Sequence, residues 1–188
     1  MALPFQAKRK ASDIVPALVA PSGATSYTAG RKLAIFDSIP VIKNDSTLHL
    51  ATNGKWSSHQ LLIHLLDLTG PAHVSIATYS MTEEPTKMLV NYLEIGQIKS
   101  LQFVSDIRFK THQPEAYALA IKRFPIHLVN THMKLMVIWN EKWNISVVGS
   151  ANFTNNKRRE IAIVIEDKST CEFYKSVIQD IINGTSPE

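Results

Sequence analysis

The sequence is poor in cysteine and contains no long uninterrupted apolar run, and both shortages restrict the kind of protein it can encode. The single cysteine, Cys171, excludes an intrachain disulfide and is typical of a protein in a reducing compartment. No apolar run reaches the length needed to cross a bilayer. The basic residues 8–10 follow a short apolar stretch, which is the reverse of the order in a signal peptide. We therefore expect a cytoplasmic protein without stable membrane association.

The remaining composition is that of an ordinary globular domain, with 45% hydrophobic and 19% charged residues over 188 positions. The net charge of +4 is concentrated in residues 1–44, which hold six basic and two acidic side chains and leave fourteen of each sign in the rest. We predict a basic N-terminal arm over residues 1–44, extended or partly ordered, and a catalytic domain over residues 45–188. The arm either contacts an anionic partner, most commonly nucleic acid, or is a solvated leader.

Hydrophobic periodicity predicts alternating strands and helices in the first half of the domain. The predicted strands there are 47–51, 73–79 and 100–105, and the predicted helices are 57–68, 83–95 and 113–123. After Pro125 the pattern changes to strands over 126–129, 134–139, 145–149 and 160–166 and a last helix over 169–182. This order predicts an α/β fold with a mixed, largely parallel central sheet flanked by helices on both faces.

Two short motifs flank the predicted strands 134–139 and 145–149. His132 and Lys134 precede or begin the first strand, and Ser150 and Asn152 follow the second. A hairpin turning about Lys142 would set His132 opposite Asn152 and Lys134 opposite Ser150, with all four side chains on one face and neighbours about 5 Å apart. This register is an assumption, because a loop of even length would move one pair to the other face.

These four residue types together predict a phosphate site. An imidazole can attack phosphorus, while an ammonium, an amide and a hydroxyl can hold the phosphoryl oxygens. A single His-x-Lys pair has little diagnostic value, but its combination with Gly-Ser-x-Asn at the mirrored position favours catalysis over a structural role. The other six histidines lack metal-ligand spacing, so we predict no metal site and no cofactor.

The sequence here resembles the phospholipase D superfamily, whose signature is His-x-Lys followed, after a strand, by Gly-Ser-x-Asn. The match comprises His132, Lys134, Gly149, Ser150 and Asn152, and residues 77–82 are similar to the family's strand-end segment. The resemblance implies a phospholipase D-like fold and a metal-independent phosphodiesterase that works through a phosphohistidine. Because the chain has one His-x-Lys motif, it looks like the small single-motif members, which implies a homodimer with the active site at the two-fold interface.

The resemblance also implies roles for individual residues. His132 would be the nucleophile, Lys134 and Asn152 would stabilise the transferred group, and Ser150 would add a hydrogen bond to the phosphate. Glu160 occupies the place of the family carboxylate that orients the histidine; alternatively, it is a solvated residue at the start of a strand. The family usually carries aspartate five residues after the motif lysine, where this chain has Trp139, and that departure is the reason to consider a non-catalytic binding module as an alternative.

The densest basic run of the chain follows the second motif directly. Lys157, Arg158 and Arg159 could bind the phosphates of a nucleic acid beyond the cleaved bond, or they could form a solvated loop. Together with the basic arm, this run favours a nuclease acting on DNA or RNA, with Lys157 and Arg158 among the substrate-binding residues. Two alternatives are a phospholipid phosphodiesterase or transferase and a non-catalytic module that binds phosphodiesters.

Overall fold

A computed structural model describes residues 19–20, 25–30, 39, 42–54, 56–155 and 158–184. The strands among them are β1 (Val19–Ala20), β2 (Thr25–Gly30), β3 (Ser46–Asn53), β4 (Ala72–Thr78), β5 (Ile98–Asp106), β6 (His127–Val129), β7 (Lys134–Trp139), β8 (Asn144–Gly149) and β9 (Arg159–Glu166). The helices are α1 (Ser58–Thr69), α2 (Glu83–Glu94), α3 (Phe109–His112), α4 (Pro114–Ala120) and α5 (Lys168–Asn183). The predicted elements between residues 47 and 182 are all present within a few residues, and the short helix α3 is an addition.

The described strands form one sheet in the order β1-β2-β3-β9-β8-β7-β4-β5-β6. The mixed α/β fold is therefore confirmed, but the expectation of a largely parallel sheet is corrected. Six of the described strands run in one direction, namely β2, β3, β4, β5, β6 and β8. Strands β9 and β7 run in the opposite direction; β9 lies between β3 and β8, and β7 lies between β8 and β4. Most neighbouring pairs are consequently antiparallel. The β7–β8 pair is antiparallel because a tight turn joins the two strands instead of a crossover helix.

Helices cover both faces of the sheet, as predicted. One face packs against α1, α2, α3 and α4 around a core that includes Leu62, Ile76 and Met136. The opposite face packs against α5, whose Cys171 and Ile178 are fully buried. Two separate apolar layers thus hold the sheet rigid between them.

Part of the predicted N-terminal arm contributes to this sheet. Strand β2 pairs in parallel with β3 over six residues, and β1 pairs with β2. The other residues of the arm before position 39 lie outside the described residues. The division at residues 44–45 stays a prediction, although the left-handed backbone of Asp45 (φ 56°) immediately precedes β3.

Candidate active site

The motif residues meet at one edge of the sheet. Strands β4 and β8 end there at Thr78 and Gly149, while β7 and β9 begin there at Lys134 and Arg159. This convergence follows from the antiparallel pairing of β4 with β7 and of β8 with both β7 and β9. Side chains from four strands are therefore placed within reach of one another.

The register of the β7–β8 pair differs by one residue from the predicted one. Leu135 pairs with Val148 and Trp139 with Asn144, so that Gly149, and not Ser150, follows as the neighbour of Lys134. The proposed pairs of His132 with Asn152 and of Lys134 with Ser150 are therefore wrong. The turn between the strands has an even length of four residues, 140–143, and this length shifts the register.

The side chain of Asn140 stabilises that turn. Its Oδ1 accepts hydrogen bonds from the backbone N–H groups of Lys142, at 2.9 Å, and of Trp143, at 3.0 Å. Its backbone N–H also donates to the carbonyl of Trp143 at 3.0 Å. These bonds close the hairpin over the four residues 140–143, so that the strands pair one residue away from the register that a turn centred on Lys142 would give.

Asn152 reaches the site by a different route from the one expected. The chain leaves β8 after Gly149, and the following loop folds back against the end of β4. There, Oδ1 of Asn152 lies 3.4 Å from the hydroxyl of Thr78, which is itself the strand partner of Lys134. The amide is consequently held at the strand partner of the lysine, although Asn152 and Lys134 are not neighbours in a ladder.

Backbone contacts fix this loop on both sides of Asn152. The hydroxyl of Ser58 donates to the carbonyl of Ala151 at 2.9 Å. Phe153 forms a parallel bridge with Met81, and its carbonyl accepts from the N–H of Thr82 at 3.0 Å. The position of Asn152 is thus set by the β4–α2 connection and by the start of α1.

His132 and Lys134 are in direct contact. Nζ of Lys134 donates to the carbonyl of His132 at 2.8 Å and lies 3.1 Å from Nδ1 and 3.3 Å from Nε2 of the imidazole. Desolvation lowers the pKa of the Lys134 ammonium below its usual value, and the negative charge of Glu160 opposes this shift. His132 itself is exposed, so its ring is accessible to a ligand.

Glu160 and Ser150 form the adjoining part of the site. The hydroxyl of Ser150 donates to the carboxylate of Glu160 and accepts from the N–H of Ile161 at 3.1 Å. The described ring contacts of His132 are with Lys134 and Tyr79. The carboxylate is therefore placed near the lysine and the serine, and its predicted role in orienting the histidine stays a prediction.

The basic run after the second motif is only partly described. Arg158 is exposed and immediately precedes β9, and the exposed Arg159 begins that strand. Lys157 lies outside the described residues. A phosphate-binding role for Lys157 and Arg158 stays a prediction.

Trp139, the departure from the family pattern, lies at the opposite end of β7 from Lys134. Five residues of extended strand separate the two, which corresponds to roughly 16 Å. The indole stacks on the ring of His73, with centroids 5.5 Å apart, and Nζ of Lys175 lies 4.7 Å from the indole centroid. Trp139 therefore connects β4, β7 and α5 without touching the site.

Three residues near His132 were not among the predicted site residues, although Tyr79 lies in the segment 77–82 that resembles the family. The ring of Tyr79 lies 5.1 Å from the imidazole, Arg108 lies over Tyr79, and Asp106 binds Arg108. The available signal was the position of Tyr79 and Asp106 at the carboxyl ends of two parallel strands, where ligand-facing residues gather in α/β sheets. No sequence pattern joins residues that are about 30 positions apart.

An open groove of about 280 Å³ runs beside the imidazole. His132 and Lys134 line one end, and the apolar side chains of Met133, Val148 and Val177 line much of the rest. Among the described residues, no three or more His, Cys, Asp and Glu side chains are grouped as a metal site would require. None of the described helices has the length and apolar character of a membrane-spanning segment.

Comparisons with known proteins give a likeness in structure only. No protein-family model matches the sequence, and no curated protein matches it. The structure is similar to that of Nuc from Salmonella typhimurium, described as a phospholipase D family member, with a TM-score of 0.58 and 22% identity over 73% of this chain and 94% of the other. It is also similar to NucT from Helicobacter pylori, with a TM-score of 0.56 and 18% identity over 73% of this chain and 97% of the other.

A third likeness is to the polyphosphate kinase of Porphyromonas gingivalis, with a TM-score of 0.53 and 13% identity, over 76% of this chain but only 26% of the kinase. The chain thus has the phospholipase D-like fold, as the motif residues predicted. The predicted resemblance to the superfamily is confirmed at the level of fold by Nuc and NucT.

Proposed function

We propose that this chain is a metal-independent phosphodiesterase, namely a nuclease that cleaves DNA or RNA through a phosphohistidine intermediate in a homodimeric active site. The observation that carries the proposal is the position of the Lys134 ammonium. It lies 3.1 Å from Nδ1 of His132, and its strand neighbour Thr78 contacts Asn152. A nucleophile and two groups that can neutralise phosphoryl charge thereby share one sheet edge.

The chemistry requires two imidazoles. In the first step a ring nitrogen of His132 forms a bond to phosphorus, the bond to the leaving oxygen breaks, and that oxygen takes a proton from His132 of the partner subunit. In the second step water attacks phosphorus, the phosphorus–nitrogen bond breaks, and the proton of the water passes to the partner subunit's His132. Lys134 and Asn152 stabilise the negative charge that develops on the phosphoryl oxygens.

The second histidine would come from another copy of the chain, since this sequence contains a single His-x-Lys motif. A two-fold axis through the site supplies it without any further sequence change. Glu160 would orient an imidazole in the completed site, and Ser150, which it binds, would donate to the substrate or hold that carboxylate in place.

Nucleic acid is the favoured substrate because basic residues follow the second motif directly and are concentrated in the N-terminal part of the sequence. Arg158 and Arg159 are exposed at the start of β9, and residues 1–44 carry the net positive charge of the chain. The structural likeness to Nuc and NucT supports the same choice. We further propose a cytoplasmic location.

A phospholipid phosphodiesterase is the second candidate. The apolar groove beside His132, together with Ile161, which is 60% exposed, would suit an acyl chain or a diacylglycerol leaving group. Turnover of anionic and zwitterionic liposomes, compared with turnover of plasmid and single-stranded oligonucleotides, separates the two substrate classes.

The decisive experiment is cleavage of plasmid and single-stranded DNA in excess chelator by the wild type and by His132→Ala and Lys134→Ala. We expect loss of turnover in both variants. His112→Ala and Lys87→Ala, exposed residues of the same types on α3 and α2, serve as matched controls and keep full activity. Full activity in either site variant, or strict dependence on a divalent ion, contradicts the proposal; binding without turnover by the wild type favours a non-catalytic module.

The shared site is tested by mixing subunits. When wild type and His132→Ala are co-refolded in equal amounts, a site that needs both histidines leaves about a quarter of the activity expected from the total protein, whereas independent sites leave about half. A remaining activity of about half would exclude a site on the two-fold axis.

A further inference from the structure

A second group of polar and aromatic side chains lies beside His132 and plays no part in the proposed chemistry. The innermost residue of this group is Asp106, the last residue of β5, whose carboxylate is completely buried. Arg108 binds this carboxylate with its side chain, at 2.6 Å from Nε and 3.2 Å from Nη2, and with its backbone N–H at 3.0 Å. The forked contact fixes the plane of the guanidinium.

The guanidinium in turn lies over an aromatic ring. Its central carbon is 4.7 Å from the centroid of Tyr79, a distance typical of a cation–π contact. The Tyr79 ring is 5.1 Å from the imidazole of His132, and the two planes are tilted by 52°. Nζ of Lys134 lies 5.6 Å from the same centroid. Tyr79 therefore contacts His132, Lys134 and Arg108, and it links the guanidinium to the two motif residues.

Asp106 also acts on the backbone that carries the histidine. Its second carboxylate oxygen accepts a hydrogen bond of 3.2 Å from the N–H of Thr131, the residue before His132. The hydroxyl of Thr131 accepts from the N–H of Met133 at 3.2 Å. The segment on both sides of His132 is thereby connected to the same buried carboxylate.

From these contacts we propose that Arg108 is a positioning residue, which holds the imidazole of His132 in its reactive orientation through the ring of Tyr79. The inference rests on the proposed function, in which His132 attacks phosphorus. An attacking nitrogen has to be aligned with the bond that breaks, and a displacement of about 1 Å can reduce the rate roughly a hundredfold. The imidazole is exposed and its described ring contacts are with Lys134 and Tyr79, so the position of the Tyr79 ring bears directly on its orientation.

Arg108 is suited to this role because two parts of its side chain are already engaged. Two donors of the guanidinium are directed to Asp106, and one face lies against Tyr79. A lysine would keep the charge near Asp106 but could not form the forked contact and the stack at once.

The test compares the steady-state kinetics of Arg108→Met and Arg108→Lys with those of Arg123→Met. Arg123 is a matched control, since it is similarly exposed and pairs with Glu94 at 2.9 Å at a distance from the site. We expect kcat to fall about tenfold or more in Arg108→Met with KM nearly unchanged. Arg108→Lys is expected to recover part of the loss, and Arg123→Met to match the wild type.

Coupling with Tyr79 identifies the route. If Arg108 acts through the ring, adding Arg108→Met to Tyr79→Leu causes little further loss, and the two losses are far from additive. Tyr79→Phe keeps the ring and is expected to retain most of the activity. A raised KM with unchanged kcat in Arg108→Met would show that Arg108 contacts substrate directly, and additive losses would show that it acts independently of Tyr79; either result overturns the proposal.

A readout without turnover keeps this inference separate from the proposed function. The imidazole of His132 lies within the ring-current range of Tyr79, so its NMR signals are expected to shift and broaden in Arg108→Met, Arg108→Lys and Tyr79→Leu but not in Arg123→Met. Unchanged His132 signals in folded Arg108→Met and Arg108→Lys overturn the positioning role even if the wild type is an active nuclease. Shifted signals in a protein that shows no turnover leave the positioning contact supported and reject the nuclease.

Discussion

The hydroxyl of Thr78 lies 3.4 Å from Oδ1 of Asn152, although 74 positions separate the two residues in the sequence. The same oxygen donates to the carbonyl of Ser80 at 3.1 Å and accepts from the N–H of Phe153 at 3.4 Å. Thr78 is completely buried, so this one hydroxyl connects the end of β4 with the loop that carries the motif asparagine.

Replacing Thr78 by valine should therefore affect stability and activity together. Valine has nearly the same shape but no hydroxyl, and we expect the free energy of unfolding to fall by about 1–3 kcal/mol because buried polar groups lose their partner. Phosphodiesterase activity should fall as well, since Asn152 is no longer held at the end of β4. Urea unfolding and plasmid cleavage measure the two effects, and Thr78→Ser, which keeps the hydroxyl, should retain most of both. Equal activity in the valine and serine variants would contradict this role.

Gly149 is required by the close approach of two strands. A Cβ at this position would lie 2.5 Å from the carbonyl oxygen of Ile161 and 3.2 Å from Cα of Ala162 in β9. We expect Gly149→Ala to separate β8 from β9 locally, to reduce the free energy of unfolding by about 3 kcal/mol, and to abolish activity.

Gly96→Ala is the control for a glycine lost without a clash. Gly96 has a left-handed backbone (φ 75°) but no atom within 4 Å of an added Cβ. Its replacement should cost about 1 kcal/mol from backbone strain alone and leave activity intact. Denaturant titration measures the free energy of unfolding of both variants. Equal losses in Gly149→Ala and Gly96→Ala would mean that β8 packs less tightly on β9 than the structure indicates.

The ammonium of Lys134 should titrate below its ordinary pKa of 10.5, because burial disfavours its charged form. Glu160 acts in the opposite direction and raises this pKa, so Glu160→Gln should lower it further. Titration of the labelled Lys134 side chain by NMR measures both shifts directly. Since the protonated amine is proposed to bind phosphate, the alkaline limb of activity should move to lower pH in the same variant.

Glu141→Gln provides the control for that titration. Glu141 is an exposed carboxylate in the turn at the far end of β7, and its removal changes the net charge by the same amount. We expect the Lys134 titration to be unaffected there because of distance and screening. A wild-type midpoint at or above 10.5, or identical effects of the two substitutions, would show that the assigned cause is wrong.

Trp139→Asp restores the residue that the family usually carries, and we expect it to lower stability without changing the chemistry. The indole stacks on His73 and under the ammonium of Lys175, contacts that an aspartate cannot replace. The expected loss is about 1–3 kcal/mol in the free energy of unfolding, whereas kcat/KM of the folded protein should stay within about twofold of the wild type. Trp139→Phe should keep part of the stacking. A rise in kcat/KM of about tenfold in Trp139→Asp would instead assign a catalytic consequence to the missing aspartate.

Local patterns predicted the elements of this fold well, but not how the elements pair. The strands at 134–139 and 145–149 follow from runs of apolar residues, and the structure has them almost unchanged. Their register depends on the side chain of Asn140, which shortens the turn by bonding to two backbone N–H groups, and no periodicity contains that information. The motif residues were nevertheless brought together, because they follow or precede strands that end at the same edge.

The contacts around His132 could not be predicted from local sequence patterns. Tyr79, Arg108 and Thr131 belong to three different connections, and only the pairing of β4, β5 and β6 in parallel places their ends side by side. Such contacts depend on tertiary structure, which neither propensity nor motif spacing records.

In the loop around Asn152, the carbonyls of Ala151 and Phe153 accept hydrogen bonds from Ser58 and Thr82, and the N–H of Phe153 donates to Thr78, before any ligand arrives. The conformational entropy of this loop is therefore lost during folding, and an incoming phosphodiester does not have to order it. A ligand that meets a loop already in place should associate without a slow isomerisation, so that discrimination between substrates falls to the groups that surround the phosphate and not to movement of the asparagine.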